Sequence, residues 1–134
     1  MVKKTVGHET HMKAAISKMP LKGEFTRKIK VTFLGAGSAF APRVLNDIMM
    51  IEKNKGGSIA LVDIDAGRLQ LMKNYITSLI KKNDFKNWDV FSSTNRKVVL
   101  PHSDYVINCI EVNGTACVKF DNDIPLSYGI AQCI

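Results

Sequence analysis

The stretch IKVTFLGAGS, residues 29–38, decides the fold of this chain. Its first part, Ile29 to Leu34, is mostly apolar and rich in β-branched and aromatic side chains, which predicts a strand. The strand runs directly into the glycine turn Gly35–Ser38, and a helix is predicted from about Pro42, because proline suits the first turn of a helix. A strand, a glycine turn and a helix in this order are typical of a site that binds a dinucleotide phosphate.

Strands and helices alternate along the rest of the chain. Further strands are predicted at residues 58–62, 88–92 and 105–110, with a long helix after Asp65 and a brief helix or turn at 95–100. The apolar run at 105–110 is typical of a strand that is buried inside a parallel sheet. The alternation predicts an α/β fold, namely a Rossmann-like parallel sheet with flanking helices and right-handed crossovers.

The charge is concentrated at one end of the chain. The net charge is +7 over 134 residues, yet residues 1–30 hold eight basic and two acidic side chains, and the rest is almost balanced. We therefore expect residues 1–27 to be a basic, weakly structured N-terminal extension, and residues 28–134 to form an incomplete Rossmann-like domain without its substrate domain. A nucleic-acid partner is not expected, because the basic residues belong to the extension.

Several cellular settings are also disfavoured by the sequence. No apolar run approaches the roughly 18 residues of a membrane span, and the N-terminus lacks the apolar core of a signal peptide. The three cysteines show neither CxxC spacing nor a number that pairs off. A reduced, cytoplasmic location without a membrane partner is the prediction.

The glycine turn and an acidic residue carry the candidate chemistry. Gly35 and Gly37 match the first two glycines of G-x-G-x-x-G, whereas the third position is Phe40. Amides at such a turn bind pyrophosphate, and Asp63 ends the second strand, where a carboxylate can accept hydrogen bonds from the adenosine ribose. Asp63 follows Gly35 by 28 residues, more than the usual ~20. Its carboxylate favours NAD over NADP, although the nearby Arg68 weakens that preference.

Asp65 has a structural interpretation beside a functional one. It directly precedes the apolar pattern of the second helix, and aspartate is a good N-cap residue. We therefore favour a capping role for Asp65 over a role in binding the cofactor.

Four blocks of sequence, in this order, resemble the N-terminal part of the family-4 glycoside hydrolases, the NAD- and divalent-metal-dependent α-glucosidase, α-galactosidase and α-galacturonidase group. The blocks are FLGAGSAFAPR at 33–43, LVDID at 61–65 with the following Arg-Leu, DYVIN at 104–108, and IPLSYGI at 124–130 with the nearby Gln132. The resemblance covers all of the chain except the N-terminal extension.

The resemblance implies a set of cofactor contacts. In the family the glycine turn holds the pyrophosphate, the acidic strand end holds the ribose, and the fourth strand ends near the nicotinamide. The residues that would bind the cofactor here are Gly35, Gly37, Ser38, Arg43, Asp63 and Asn108. For Arg43 a solvent-exposed helix position is an equally good interpretation, and for Asn108 the capping of a strand is the alternative.

The resemblance also implies an unusual reaction that departs from two-carboxylate glycosidases. NAD accepts a hydride from the sugar C3, a base removes the C2 proton, the glycosidic oxygen leaves, water adds, and the hydride returns. A Mn²⁺-type ion acts as Lewis acid. Its ligands and the base lie outside this chain, so no catalytic or metal-binding residue is assigned here. A sugar substrate and a homo-oligomer are implied for the full-length enzyme, and Glu111 favours a non-phosphorylated sugar.

Two other hypotheses remain open at this point. A lactate/malate-type dehydrogenase shares the glycine turn and the acidic strand end, but not the Pro42-Arg43 element or the block at 124–130. A non-enzymatic nucleotide-binding module is the other. Under the leading hypothesis the 134-residue chain by itself is inactive and prone to associate, because a sheet edge and apolar surface stay uncovered.

Overall fold

The computed structural model describes residues 23–112 and 114–131. The expectations for the first part of the N-terminal extension and for Gln132 lie outside these ranges. The elements are β1 (Ile29–Leu34), α1 (Ala41–Met49), β2 (Gly57–Val62), α2 (Ala66–Lys82), β3 (Trp88–Ser93), α3 (Arg96–Val99), β4 (Tyr105–Asn108), a 3₁₀ turn (Gly114–Ala116) and α4 (Val118–Ser127).

The four strands form one sheet in the order β3-β2-β1-β4, and every neighbouring pair is parallel. Phe33 of β1 lies opposite Leu61 of β2 and opposite Ile107 of β4, so the carboxyl ends of the strands lie at one edge of the sheet. This order is the first part of the Rossmann arrangement 3-2-1-4-5-6. The predicted α/β fold class is confirmed.

Each face of the sheet packs against helices, because successive side chains of a strand point to opposite sides. On one face, Ile59 and Leu61 belong to a core cluster that includes Leu45 of α1 and Ile76 of α2. On the other face, Ala60 packs in a smaller cluster that α3 completes. The continuous apolar run of β2 follows from this burial on both faces.

Strand β4 departs from the prediction. The sequence predicted a buried strand over 105–110, but β4 covers Tyr105–Asn108, and the exposed fractions of Tyr105 and Val106 are 54% and 51%. That prediction is wrong for the described part of the chain, because β4 lies at the edge of the sheet and pairs only with β1 there. Helix α4 likewise exposes the apolar side chains of Phe120 and Leu126.

The loop before β2 is closed by a single asparagine. Helix α1 ends at Met49, and the Nδ2 of Asn54 donates to the carbonyls of Met49 and Ile51 at 2.9 and 2.8 Å. The Oδ1 of Asn54 accepts hydrogen bonds from the Gly56 amide at 3.0 Å and from the Trp88 indole at 3.2 Å. This loop therefore fixes the amino ends of β2 and β3.

An ion pair fastens the amino ends of β1 and β4. Asp104 accepts a hydrogen bond from the Lys30 amide at 2.7 Å and another from the guanidinium of Arg27. These bonds, first of all that of Arg27, lower the pKa of Asp104 from 3.8 to about 2. Phe25 also packs against the core. Residues just before the predicted boundary at Lys28 thus contact the sheet, and the boundary itself stays a prediction.

Candidate functional site

An open cleft of about 690 Å³ lies at the carboxyl ends of the strands. Its lining comes from the residues that follow each of the four strands, for example Gly37 after β1, Asp63 after β2, Thr94 after β3 and Ile110 after β4. In open α/β sheets a ligand binds outside the carboxyl ends of the strands, and the volume lies within the usual range of ligand pockets. This cleft is therefore the candidate site.

The glycine turn is held against the end of β2 by backbone hydrogen bonds. The amides of Gly35 and Ala36 both donate to the Val62 carbonyl at 2.9 Å, and the Ser38 amide donates back to Gly35 at 3.1 Å. Gly35 has φ +78°, in the left-handed region that favours glycine. A Cβ added there would also overlap the Cys109 carbonyl, so the end of β4 can approach only a glycine.

Asp63 faces the glycine turn with one oxygen and its own strand end with the other. Its Oδ2 accepts the Gly37 amide at 2.7 Å, and its Oδ1 accepts the Asp65 amide at 2.9 Å. A Cβ on Gly37 would lie 2.7 Å from Oδ2, so the Asp63 carboxylate would have to shift to make room for it. The second glycine of the motif therefore leaves room for the carboxylate of Asp63, the residue predicted from the sequence to bind the ribose.

The position of the missing third glycine is occupied by an exposed aromatic side chain. Phe40 precedes α1, its exposed fraction is 55%, and its amide donates to the hydroxyl of Ser38 at 3.2 Å. The Ser38 carbonyl accepts the amide of Ala41 at 3.1 Å. Ser38 thus closes the turn from which α1 begins, and it is also one of the residues that line the cleft.

The predicted cap of α2 is confirmed. The Oδ1 of Asp65 accepts the Arg68 amide at 2.9 Å, which satisfies one of the free donors at the start of the helix. The guanidinium Nε of Arg68 lies 3.6 Å from the other oxygen of Asp65, and both side chains are largely exposed to solvent. Arg68 lines the cleft beside Asp63, so the cleft presents both signs of charge at this end.

The structure does not bring all six predicted cofactor residues together. Gly35, Gly37, Ser38 and Asp63 line the cleft, whereas Arg43 lies on the exposed side of α1 and is not part of the lining. Asn108 is also outside the lining, and its Oδ1 accepts the Ile110 amide at 3.3 Å in a turn after β4. The cofactor roles of Arg43 and Asn108 stay predictions.

Sequence reasoning missed several residues of the cleft. Thr94 and Arg96 follow β3, and Cys109 follows β4, where its Sγ donates to the Ser38 hydroxyl at 3.6 Å. The sequence did predict β3 as a strand of the parallel sheet. Because ligands bind at the carboxyl ends of such strands, the residues after β3, Thr94 and Arg96, could have been named as candidates. The contact between Cys109 and Ser38 spans 71 residues, and no local signal indicated it.

The described part of the chain holds neither a metal-binding cluster nor a membrane-spanning helix. Among residues 23–112 and 114–131, no group of three or more His, Cys, Asp or Glu side chains is arranged to hold a metal ion. None of the helices in the same ranges is long and apolar enough to cross a membrane.

A parallel sheet with flanking helices and an open cleft at its carboxyl edge defines this molecule as a Rossmann-like α/β protein. The family model described as family 4 glycosyl hydrolase matches residues 30–134, and the chain belongs to that family.

The chain is similar to much longer proteins. It is 38% identical over 107 residues to an α-galactosidase of Bacillus subtilis (strain 168), which covers 78% of this chain and 24% of that protein. It is 29% identical over 106 residues to an α-galactosidase of Rhizobium meliloti (strain 1021), with 78% and 21% covered. The chain thus spans less than a quarter of these relatives.

Solved structures show the same fold. A 6-phospho-α-glucosidase from gut microorganisms, in complex with NAD and Mn²⁺, matches with a TM-score of 0.60 at 23% identity, over 79% of this chain and 25% of that one. A 6-phospho-β-glucosidase from Thermotoga maritima, with NAD and glucose-6-phosphate, matches with a TM-score of 0.59 at 24% identity and the same coverage.

Proposed function

We propose that this chain is the NAD-binding portion of an NAD- and divalent-metal-dependent glycosidase, which hydrolyses O-glycosyl bonds by oxidation, elimination, addition and reduction. The observation that carries the proposal is the convergence of the glycine turn and Asp63 in one cleft at the carboxyl edge of the sheet. Membership of the family supports it, and so do the matched structures that contain NAD. Family membership argues against the dehydrogenase hypothesis.

The cleft fits a dinucleotide. The missing side chains of Gly35 and Gly37 leave room for the Cys109 carbonyl and the Asp63 carboxylate, so the glycine turn lies close to the ends of β2 and β4 at the edge of the cleft. The hydroxyl of Ser38 can donate to a phosphate oxygen, and the unused lone pairs of Asp63 can accept from ribose hydroxyls. Arg43 and Asn108 are proposed to contact the cofactor's phosphate and nicotinamide ends once it is bound. NAD supplies a reversible hydride acceptor.

The divalent metal is proposed for the parent enzyme and not for this chain. The described residues offer no cluster of ligands for it, and we derive no step through it here. The ligands, the base and the sugar contacts are therefore proposed to lie in the larger part of the parent protein. The 134-residue chain alone is proposed to lack glycosidase activity, and the full-length enzyme to be a homo-oligomer.

The substrate is proposed to be a non-phosphorylated α-galactoside. Glu111 lines the cleft just after β4, and a carboxylate there would repel a sugar phosphate. The relatives named above from Bacillus subtilis and Rhizobium meliloti are α-galactosidases. A reduced, cytoplasmic location is proposed as well, because Cys109 and Cys117 are free thiols in the described part of the chain.

A binding module without catalysis is the second candidate function. The observation behind it is the cleft itself, whose glycine turn and Asp63 can bind a nucleotide whether or not catalysis follows. Both candidates require NAD binding, so glycosidase turnover separates them: the module predicts that the parent protein is also inactive.

Calorimetric titration of NAD⁺ into the 134-residue chain tests the proposal. We expect saturable 1:1 binding, weaker binding of NADP⁺, and a loss of about tenfold or more in affinity in Asp63→Ala, because a charge-assisted hydrogen bond is removed. Asp104→Ala is the matched control, since Asp104 also accepts a backbone amide at 2.7 Å but lies at the amino edge. Absence of binding to the wild-type chain, or equal losses in the two variants, would reject the site.

A further inference from the structure

We infer that Asp63 is a positioning residue for the glycine turn, in addition to any contact it makes with ribose. The inference rests on the proposed function, because it concerns how the same site binds a diphosphate. Its consequence is that Asp63 supports the binding of ligands that lack the ribose hydroxyls altogether.

The hydrogen bonds of the carboxylate carry the argument. Asp63 accepts the Gly37 amide at 2.7 Å through Oδ2 and the Asp65 amide at 2.9 Å through Oδ1. The first bond joins the turn after β1 to the end of β2 across 26 residues of sequence. A carboxylate has about four lone-pair sites, so two remain for a ligand. Asp63 can therefore hold the turn and contact a ribose at the same time.

The shape of the turn depends on this bond because Asp63 supplies the acceptor for an amide in the middle of the turn. The amides of Gly35 and Ala36 both donate to the carbonyl of Val62, which fixes the start of the turn. Further along, the Gly37 amide has the side chain of Asp63 as its acceptor. Without the carboxylate, this amide would lose its partner just before Ser38, which lines the cleft.

The glycine at position 37 serves the same contact. Its φ lies outside the left-handed region, so alanine would not strain the backbone there. The obstacle is space: an added Cβ would lie 2.7 Å from the Oδ2 of Asp63 and 3.1 Å from the Cβ of Arg68. Gly37 and Asp63 thus form one unit, in which the missing side chain of the first leaves room for the carboxylate of the second.

A double-mutant cycle on stability tests the unit without any ligand. Gly37→Ala should lower the melting temperature of the wild-type chain by several degrees, and by about half as much or less in the Asp63→Ala background, because the main clash is gone. In the Asp104→Ala background the effect of Gly37→Ala should be unchanged. Equal effects of Gly37→Ala in all three backgrounds would overturn the inference.

The affinities of two ligands for the wild type and for Asp63→Ala, compared as a thermodynamic cycle, test the positioning role directly. The probes are ADP and 2′,3′-dideoxy-ADP, which carry the same diphosphate with and without the ribose hydroxyls. If Asp63 positions the turn, Asp63→Ala weakens the binding of dideoxy-ADP by about tenfold, the effect of one charge-assisted hydrogen bond. If Asp63 serves only the ribose, dideoxy-ADP binds wild type and variant equally, and the inference is wrong.

The outcomes separate this inference from the proposed function. Failure of NAD⁺ and ADP to bind the wild-type chain would reject the function, whereas intact ADP binding with an unaffected dideoxy-ADP would reject the positioning role alone. Emission of the buried Trp88 at the amino edge reports whether each variant folds. Should Asp63→Ala not fold, Asp63→Asn replaces it: the Gly37 and Asp65 amides bond to different oxygens of Asp63, and asparagine puts an NH₂ donor in place of one of them, so dideoxy-ADP should still bind several-fold more weakly.

Discussion

Replacing Gly35, the first glycine of the turn, by alanine is predicted to lower the stability of the fold strongly. Gly35 has φ +78°, and an added Cβ would overlap the carbonyl oxygen of Cys109 and lie 2.7 Å from its carbonyl carbon. Backbone atoms cannot swing aside as a flexible side chain can. The end of β4 must therefore move away from the turn, or the turn must change its conformation.

Two contributions set the expected loss in the free energy of unfolding. A non-glycine residue in the left-handed region costs about 1–2 kcal/mol. Displacing the end of β4 breaks the bond from the Cys109 amide to the Leu34 carbonyl, which measures 2.9 Å and contributes about 1 kcal/mol. We therefore expect Gly35→Ala to lower the free energy of unfolding by about 2–3 kcal/mol and the melting temperature by about 10 °C.

Urea denaturation, followed by the emission of Trp88 and by circular dichroism, measures the effect. Gly67→Ala is the control, because Gly67 lies in the first turn of α2 and an added Cβ would meet only the Asp65 Oδ1, at 3.3 Å. Helix propensity favours alanine there by about 0.5–1 kcal/mol, so this variant should match or slightly exceed the wild type. A loss of less than about 1 kcal/mol in Gly35→Ala would refute the reasoning from close backbone approach.

Three further predictions concern the edges of the sheet. Asn54→Ala should cost about 2–3 kcal/mol in urea denaturation, because one side chain satisfies two carbonyls, an amide and the indole of Trp88; a loss below about 0.5 kcal/mol would contradict this. Val106→Lys should reduce self-association measured by light scattering, since a charge on an exposed edge strand opposes pairing, and unchanged association would show that β4 is not the contact. Because the pKa of Asp104 is lowered from 3.8 to about 2, its pairing with Arg27 stabilises the fold above about pH 4 and is lost as the pH falls from about 4 to 2. In an acid titration, Asp104→Asn should lack the loss of stability that the wild type shows between about pH 4 and 2. Identical acid-unfolding profiles of variant and wild type would refute the stabilising role of this ion pair.

Local patterns explain how much of the fold could be predicted from the sequence. The predicted β1 has the bounds of the observed strand, and Asp65 caps α2 as expected, because hydrophobic pattern and capping chemistry act over a few residues. The exposure of β4 could not be predicted in this way. Burial of a strand depends on what packs against it. The sequence pattern of a mostly apolar strand such as Tyr105–Asn108 is therefore the same whether the strand lies at the edge or in the middle of a sheet.

The candidate site was predicted less completely than the fold. The glycine turn and Asp63 were found because their spacing and their place at strand ends follow a known mechanism. The bond from Gly37 to Asp63 was not predicted, because it depends on the relative position of two strand ends that are 26 residues apart. Arg43 was predicted to bind the cofactor because it matches a block of the family, but in the structure it is not among the residues that line the cleft.

Nuclear magnetic resonance with NAD⁺ tests the central claim most directly. In a ¹H–¹⁵N titration of the 134-residue chain, the account predicts saturable shifts of the amides of Gly35–Ser38 and of Asp63, at the carboxyl edge of the sheet. The indole of Trp88, at the amino edge, should not move. No saturable shift, or shifts centred on Trp88 and the Asn54 loop, would contradict the claim that this cleft binds the cofactor.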